Sequence, residues 1–224
     1  MAKRAGAATK KKILEASWRI FISGGFENCT YIKIGETADV DSNLINYHFG
    51  GKNELARAAI REFSKKLFAF ADSCLKEQDT KLTPVELYCF LMRLNMTLIY
   101  SDNNFARFFS ECLEKRIIDM AFFISPTSIK MYNRLFKYSY VEHDMLREYW
   151  PYFEYAHLRE LMFVFNHWGG DFEGLFLFFG HTLLREIQID KDEIEAAFIK
   201  AKQLVSNIDL SRFAIKDLMR HDLE

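Results

Sequence analysis

The chain has 224 residues, half of them hydrophobic and 27% charged, with a formal net charge of −1. That composition excludes a disordered or collagen-like chain and allows one large or two modest domains with a real core. No apolar run approaches the roughly 20 residues of a membrane span. No apolar segment comes after the basic N-terminus as a secretory signal requires. Four cysteines (Cys29, Cys74, Cys89, Cys112) without a C-x-x-C pair fit reduced thiols in a cytoplasmic protein.

In chain order, the pattern predicts a first helix from about Thr9 to residue 23, with Ile13, Ser17, Ile20 and Phe21 on one face and Gly24-Gly25 as its stop. Lys10, Lys11 and Lys12 then fall in its first turn, where the helix dipole repels cations. Thr30 can cap a second helix in which Ile34 and Ala38 share a face, while Gly35 and Ala38 are small enough for a close helix crossing. Asp39-Val40-Asp41 interrupts the pattern, and Asp41 or Ser42 can cap a third helix. That helix, over residues 42–48, would bury Leu44, Ile45 and His48 and leave Ser42, Asn43, Asn46 and Tyr47 outward. Gly50-Gly51 breaks it, and Lys52 opens a long helix to about Lys76 that buries Leu55, Ala59, Phe63, Leu67, Phe70 and Cys74.

Two short helices around a tight turn are what a protein needs to lay one exposed helix in a DNA major groove. The outward residues of the third helix form hydrogen bonds but carry no charge, as base-edge readers often do, whereas a merely solvated face mixes Glu and Lys. The plain alternative is a helical hairpin in an all-α core. Charge asymmetry argues against it. Residues 1–66 hold 12 Lys/Arg against 7 Asp/Glu, and the remainder balances at −6. A basic head on an acidic body fits a chain that touches nucleic acid at one end.

Residues from about Lys12 to Leu55 resemble the N-terminal DNA-binding domain of the tetracycline-repressor (TetR) family. The resemblance rests on Ile13-Leu14-Glu15-Ala16, Phe21, Gly25-Phe26, Thr30, Ile34-Gly35-Glu36-Thr37-Ala38, Val40, and the run Leu44-Ile45-Asn46-Tyr47-His48-Phe49-Gly50-Gly51-Lys52-Asn53-Glu54-Leu55. Asp39 departs from the family's usual glycine and Asp41 from its common serine. The resemblance implies a DNA-binding domain over residues 1–51 and a larger helical ligand-binding and dimerisation domain over 52–224, bridged by helix 52–76. It implies a cytoplasmic, non-enzymatic homodimer that represses transcription from a palindromic double-stranded operator and is released by a small apolar or aromatic molecule. No cofactor or membrane partner is expected. The DNA-contacting residues would be Lys10, Lys11, Lys12, Thr30, Ser42, Asn43, Leu44, Asn46, Tyr47, His48 and Lys52.

Beyond the head, the chain reads as all-α, with helices near 84–100, 103–119, 126–141, 144–167, 171–187, 191–207 and 210–221. Thr83-Pro84-Val85-Glu86 and Asp190-Lys191-Asp192-Glu193 read as capping boxes. Trp150-Pro151 opens or kinks a segment. Residues 105–179 hold 21 of the 35 aromatic residues. Core packing explains most of them, and a pocket for a planar molecule explains the excess, with Phe105, Phe109, Tyr132, Phe136, Tyr155 and Trp168 as candidate walls. Leu175, Phe176, Phe179, Leu183 and Ile187 make one apolar stripe, and Ile194, Phe198, Ala201 and Val205 another. Either an internal core or a dimer seam would use them, and the resemblance implies the seam. Two further readings compete: a helical protein-binding scaffold, and a metal-dependent enzyme using His143, His157, His167 and His181 with Glu142, Asp144, Glu154 and Glu160. No H-E-x-x-H spacing, phosphate loop or nucleophile elbow supports catalysis.

Overall fold

The computed structural model describes residues 2–118, 126–138, 144–169 and 171–219, and among them it holds helices and no strand. The helices are α1 (Ala2–Gly24), α2 (Tyr31–Ala38), α3 (Asn43–Phe49), α4 (Lys52–Glu77), α5 (Pro84–Tyr100), α6 (Asn103–Glu114), α7 (Pro126–Tyr138), α8 (Asp144–Trp168), α9 (Phe172–Glu186) and α10 (Lys191–Ser206). Two 3₁₀ turns, Leu210–Arg212 and Ile215–Asp217, complete the chain order. Helix starts are set by side-chain caps. The Thr83–Glu86 box closes reciprocally, Thr83 N–H to Glu86 at 2.9 Å and Glu86 N–H to Thr83 Oγ1 at 3.2 Å. Asp102, Asp171 and Asp190 accept first-turn N–H groups of α6, α9 and α10.

Three boundaries differ from the sequence reading. Helix α1 starts at Ala2, seven residues early, because AKRAGAA is mostly good helix former and outweighs the Thr9 cap. Lys10–Lys12 therefore lie beyond its first turn, and the dipole penalty argued for them does not arise. Helix α6 ends at Glu114, short of the expected 119; Pro151 lies inside α8, within the helix expected over 144–167. The expected helix at 210–221 is replaced by the two turns. Phe213, Ile215, Leu218 and Met219 are all buried, at a spacing no helix face provides.

The chain forms two compact units. The first comprises residues 1–70, 98–118 and 210–224. Its core is aromatic: Trp18 lies 5.5 Å from Phe105, Phe63 lies 4.8 Å from Phe105, and Phe21 stacks on Phe108 at 4.7 Å. Trp18 donates its indole N–H to the Ile215 carbonyl at 2.7 Å, so the C-terminal segment closes this core. The second unit comprises residues 71–97 and 119–209. There α9 packs on α10 with Phe176 edge-on to Phe198 at 5.2 Å. Arg93 pairs with Glu173 and covers the Phe176 ring, while Lys200 reaches Glu86 at 2.8 Å.

Candidate nucleic-acid interface and body cluster

The turn between α2 and α3 is built by backbone hydrogen bonds that need one left-handed residue. Asp39 supplies it at φ 53, ψ 55; its N–H bonds Glu36 and Gly35 carbonyls, and Val40 N–H bonds Gly35 at 3.0 Å. This is a Schellman closure, and aspartate tolerates the conformation that glycine would adopt more freely. At Gly35 a β-carbon would stand 2.9 Å from the Val40 carbonyl and 3.3 Å from Ser42 N, so only glycine lets the chain double back here. Thr30 caps α2 through Lys33 N–H at 3.2 Å. Asp41 caps α3, its carboxylate accepting Asn43 N–H at 2.8 Å, and Ser42 makes no side-chain cap bond. Gly50, at φ 79, stops α3.

The short helix α3 is held by a single fully buried side chain, Ile45, which joins Ile34, Ala38 and Ile13 in the core. Leu44 and His48 are only half-buried, against the expected burial, because seven residues make barely two turns and bury one point. Ser42 is half-buried and expected outward. Asn43, Asn46 and Tyr47 are exposed, Tyr47 at 80%. The face therefore offers two amides and a phenol, donors and acceptors suited to base edges.

Lys10, Lys11 and Lys12 are exposed, and Lys10 lies 5.2 Å over the Phe49 ring. Lys52 is turned inward. Its ammonium donates to the Phe26 carbonyl at 3.2 Å and covers the Phe26 ring at 4.1 Å. Two positioning residues escape the sequence reading. Tyr31 accepts Lys52 N–H on its hydroxyl at 2.9 Å and so joins α2 to the start of α4. Glu111 of α6 accepts the Phe26 and Glu27 N–H groups, and Lys115 pairs with Glu27. Contacts across some 85 residues leave no local pattern to read.

The aromatic candidates divide between the units. Phe105 and Phe109 are buried in the first unit, in the core around Trp18 and Phe63. Tyr132, Phe136 and Tyr155 lie in the second unit, Tyr132 and Phe136 buried and Tyr155 half-buried. The Trp168 side chain lies outside the described residues. The two stripes of α9 and α10 differ in exposure along their length. Phe176, Leu183, Ile187, Ile194, Phe198, Ala201 and Val205 are buried inside the chain and hidden from any partner; Leu175 and Phe179 are half-buried. What α9 and α10 expose is Leu177, Phe178 at 64% and Ile199 at 60%.

One body cluster is not visible as a unit in the sequence. The Glu154 carboxylate of α8 accepts hydrogen bonds from Tyr88 of α5, at 3.2 Å, and from Tyr132 of α7. Burial pushes Glu154 up to about 7, with the two hydroxyls pulling the other way; burial and the neighbouring carboxylate raise both tyrosines. The only signal in the sequence is an acid amid aromatics at Tyr152–Ala156, weighed above for a metal. Among the described residues no group of three His, Cys, Asp or Glu could hold a metal ion; His143 and Glu142 lie outside them. All four cysteines are buried and free, and burial drives Cys29 up to about 12. No helix of the described residues is long and apolar enough to cross a membrane.

A helix-turn-helix with an exposed polar face, among described residues that are otherwise helical, is the arrangement that lays a helix in a DNA major groove. Residues 13–59 match the family described as "Bacterial regulatory proteins, tetR family". Among solved structures the chain resembles RolR, crystallised in complex with its ligand resorcinol. The TM-score is 0.64 at 13% identity, covering 92% of this chain and 97% of that one. No curated protein matches. The family match thus covers the N-terminal helix-turn-helix part of the chain, and RolR shares the fold of the chain as a whole.

Proposed function

We propose that this regulator is a repressor that binds a palindromic operator as a homodimer and leaves it when a small aromatic molecule occupies the body. DNA reading belongs to residues 1–51, and ligand binding and dimerisation belong to 52–224. The observation that carries this reading is the α3 face. Asn43, Asn46 and Tyr47 project from a helix fixed by Ile45, the Asp39 turn and the Gly50 stop. Two copies would enter successive major grooves about 34–36 Å apart. Ser42, Leu44 and His48 border that face, while Thr30 and Lys10–Lys12 meet phosphates. Lys52 retains donors for a phosphate beyond the one given to Phe26.

The resorcinol-bound RolR fold supports an aromatic effector. The outer face with Phe178 and Ile199 is the surface suited to a four-helix dimer seam. Coupling would run through α4 and also through α6, whose Glu111 and Lys115 hold the chain between α1 and α2. A gel shift with DNA upstream of the protein's own gene tests the reading. Binding should fall steeply with salt. Asn43→Ala should change sequence preference, and Lys12→Ala should weaken all sites alike. Absence of binding at low salt would sink it in favour of a protein-binding scaffold.

A further inference from the structure

We propose that Glu154, with the hydroxyls of Tyr88 and Tyr132, anchors a site for a small aromatic molecule that carries a protonated amine. The proposal rests on the body being the effector-binding part and names the chemistry of its occupant.

Three helices, α5, α7 and α8, each bring one polar group to this point. Both hydroxyls donate to the carboxylate, an arrangement that favours its charged form. A carboxylate offers about four acceptor positions and two are filled; each tyrosine oxygen also keeps acceptor capacity. The unused capacity of the cluster is thus all acceptor, and its complement is a donor.

Charge narrows the choice. Among the described residues Glu154 has no Lys, Arg or His partner, only the two tyrosines. A buried charge without a counter-ion is costly, and a cation from outside removes the cost where a neutral hydroxyl does not. Anionic ligands are disfavoured by the same charge. The Glu154 residue is half-buried, so it keeps some surface that a ligand can reach.

The surroundings suit an aromatic cation. Trp150 stands one helical turn before Glu154, buried and edge-on to Phe136 at 5.4 Å, and its indole N–H has no acceptor among the described residues. The side chains of Tyr88 and Tyr132 add further aromatic surface beside the carboxylate that their hydroxyls meet.

The test uses the full chain and three matched probes: 2-phenylethylammonium, 2-phenylethanol and phenylacetate. Thermal shift and calorimetry are run on the wild type, Glu154→Gln, Tyr88→Phe and Tyr132→Phe. The ammonium probe should raise the melting temperature of the wild type and bind at least tenfold more tightly than the alcohol. Glu154→Gln should abolish that preference, and each tyrosine variant should weaken it. Should Glu154→Gln fail to fold, the tyrosine variants carry the comparison. Equal binding of ammonium and alcohol, undiminished ammonium binding in the variants, or no ammonium binding at all overturns the proposal. A gel shift with each probe separates the two readings. Ammonium binding that leaves operator affinity unchanged refutes the effector reading alone. Operator release by resorcinol, together with no binding of the ammonium probe, refutes the ammonium site alone.

Discussion

Gly35 and Glu154 are two residues whose surroundings set their roles. A β-carbon at Gly35 would press on the Val40 carbonyl, a backbone atom that cannot swing aside. Gly35→Ala should therefore destabilise the head by about 1–3 kcal/mol and abolish operator binding, checked by urea unfolding and gel shift. Glu154 gives a pH signature. Below its unfolded value of 4.5 the carboxyl is neutral in both states, and burial as a charge costs nothing. Between 4.5 and about 7 the unfolded chain ionises first, so stability falls as pH rises, by up to about 3 kcal/mol, and levels off above. Partly buried Glu86 and Glu173 pull oppositely, because Lys200, and Arg93 with Lys202, hold them below the ordinary range. Comparing urea unfolding of the wild type and Glu154→Gln from pH 4 to pH 8 subtracts those pairs; the variant should gain relative to the wild type with rising pH.

At the scale of elements, α9 and α10 show how a helix can be recognised while its packing face stays unread. Both helices and their caps are legible in the sequence, because Asp171, Asp190 and the apolar spacing are local. Which apolar stripe points inward is not legible, because α9 is apolar most of the way round: Phe176 is buried while Phe178 is exposed. Gly180 fixes the answer. It seats the Phe198 ring, and a β-carbon there would approach Phe198 Cε2 to 2.8 Å and its tip closer still. Gly180→Ala should cost about 1–3 kcal/mol in thermal or urea unfolding, with Phe198 having no free volume to retreat into. A larger effect on dimer dissociation than on unfolding would show that α9 had been assigned the wrong packing face. The α2–α3 pair is the best-read element: its caps, its Asp39 turn and its buried Ile45 all sit within twenty residues.

For the whole molecule, the C-terminal segment belongs with the head. Ile215 accepts the Trp18 indole, Phe213 packs edge-on to Phe63 at 5.8 Å, and Leu218 accepts the Lys66 ammonium. Truncation after Asp209 removes the buried side chains of Phe213, Ile215, Leu218 and Met219. It should lower the melting temperature by roughly ten degrees or more, on the order of several kcal/mol for side chains worth about 1.5–3 kcal/mol each. Operator binding should fall with it; an unchanged melting curve would mean the tail is no part of that core. The sequence by itself determined the all-helical class, the helix-turn-helix, the exposed polar face of its second helix and most helix starts, since caps, periodicity and glycine stops act over a few residues. Only the tertiary structure decided that Phe105 and Phe109 serve the core around Trp18, that Lys52 turns to Phe26, and that Glu154 meets Tyr88 and Tyr132. Those partners lie tens of residues or more apart in the chain, where burial and hydrogen bonding depend on which elements meet and no local pattern records the meeting.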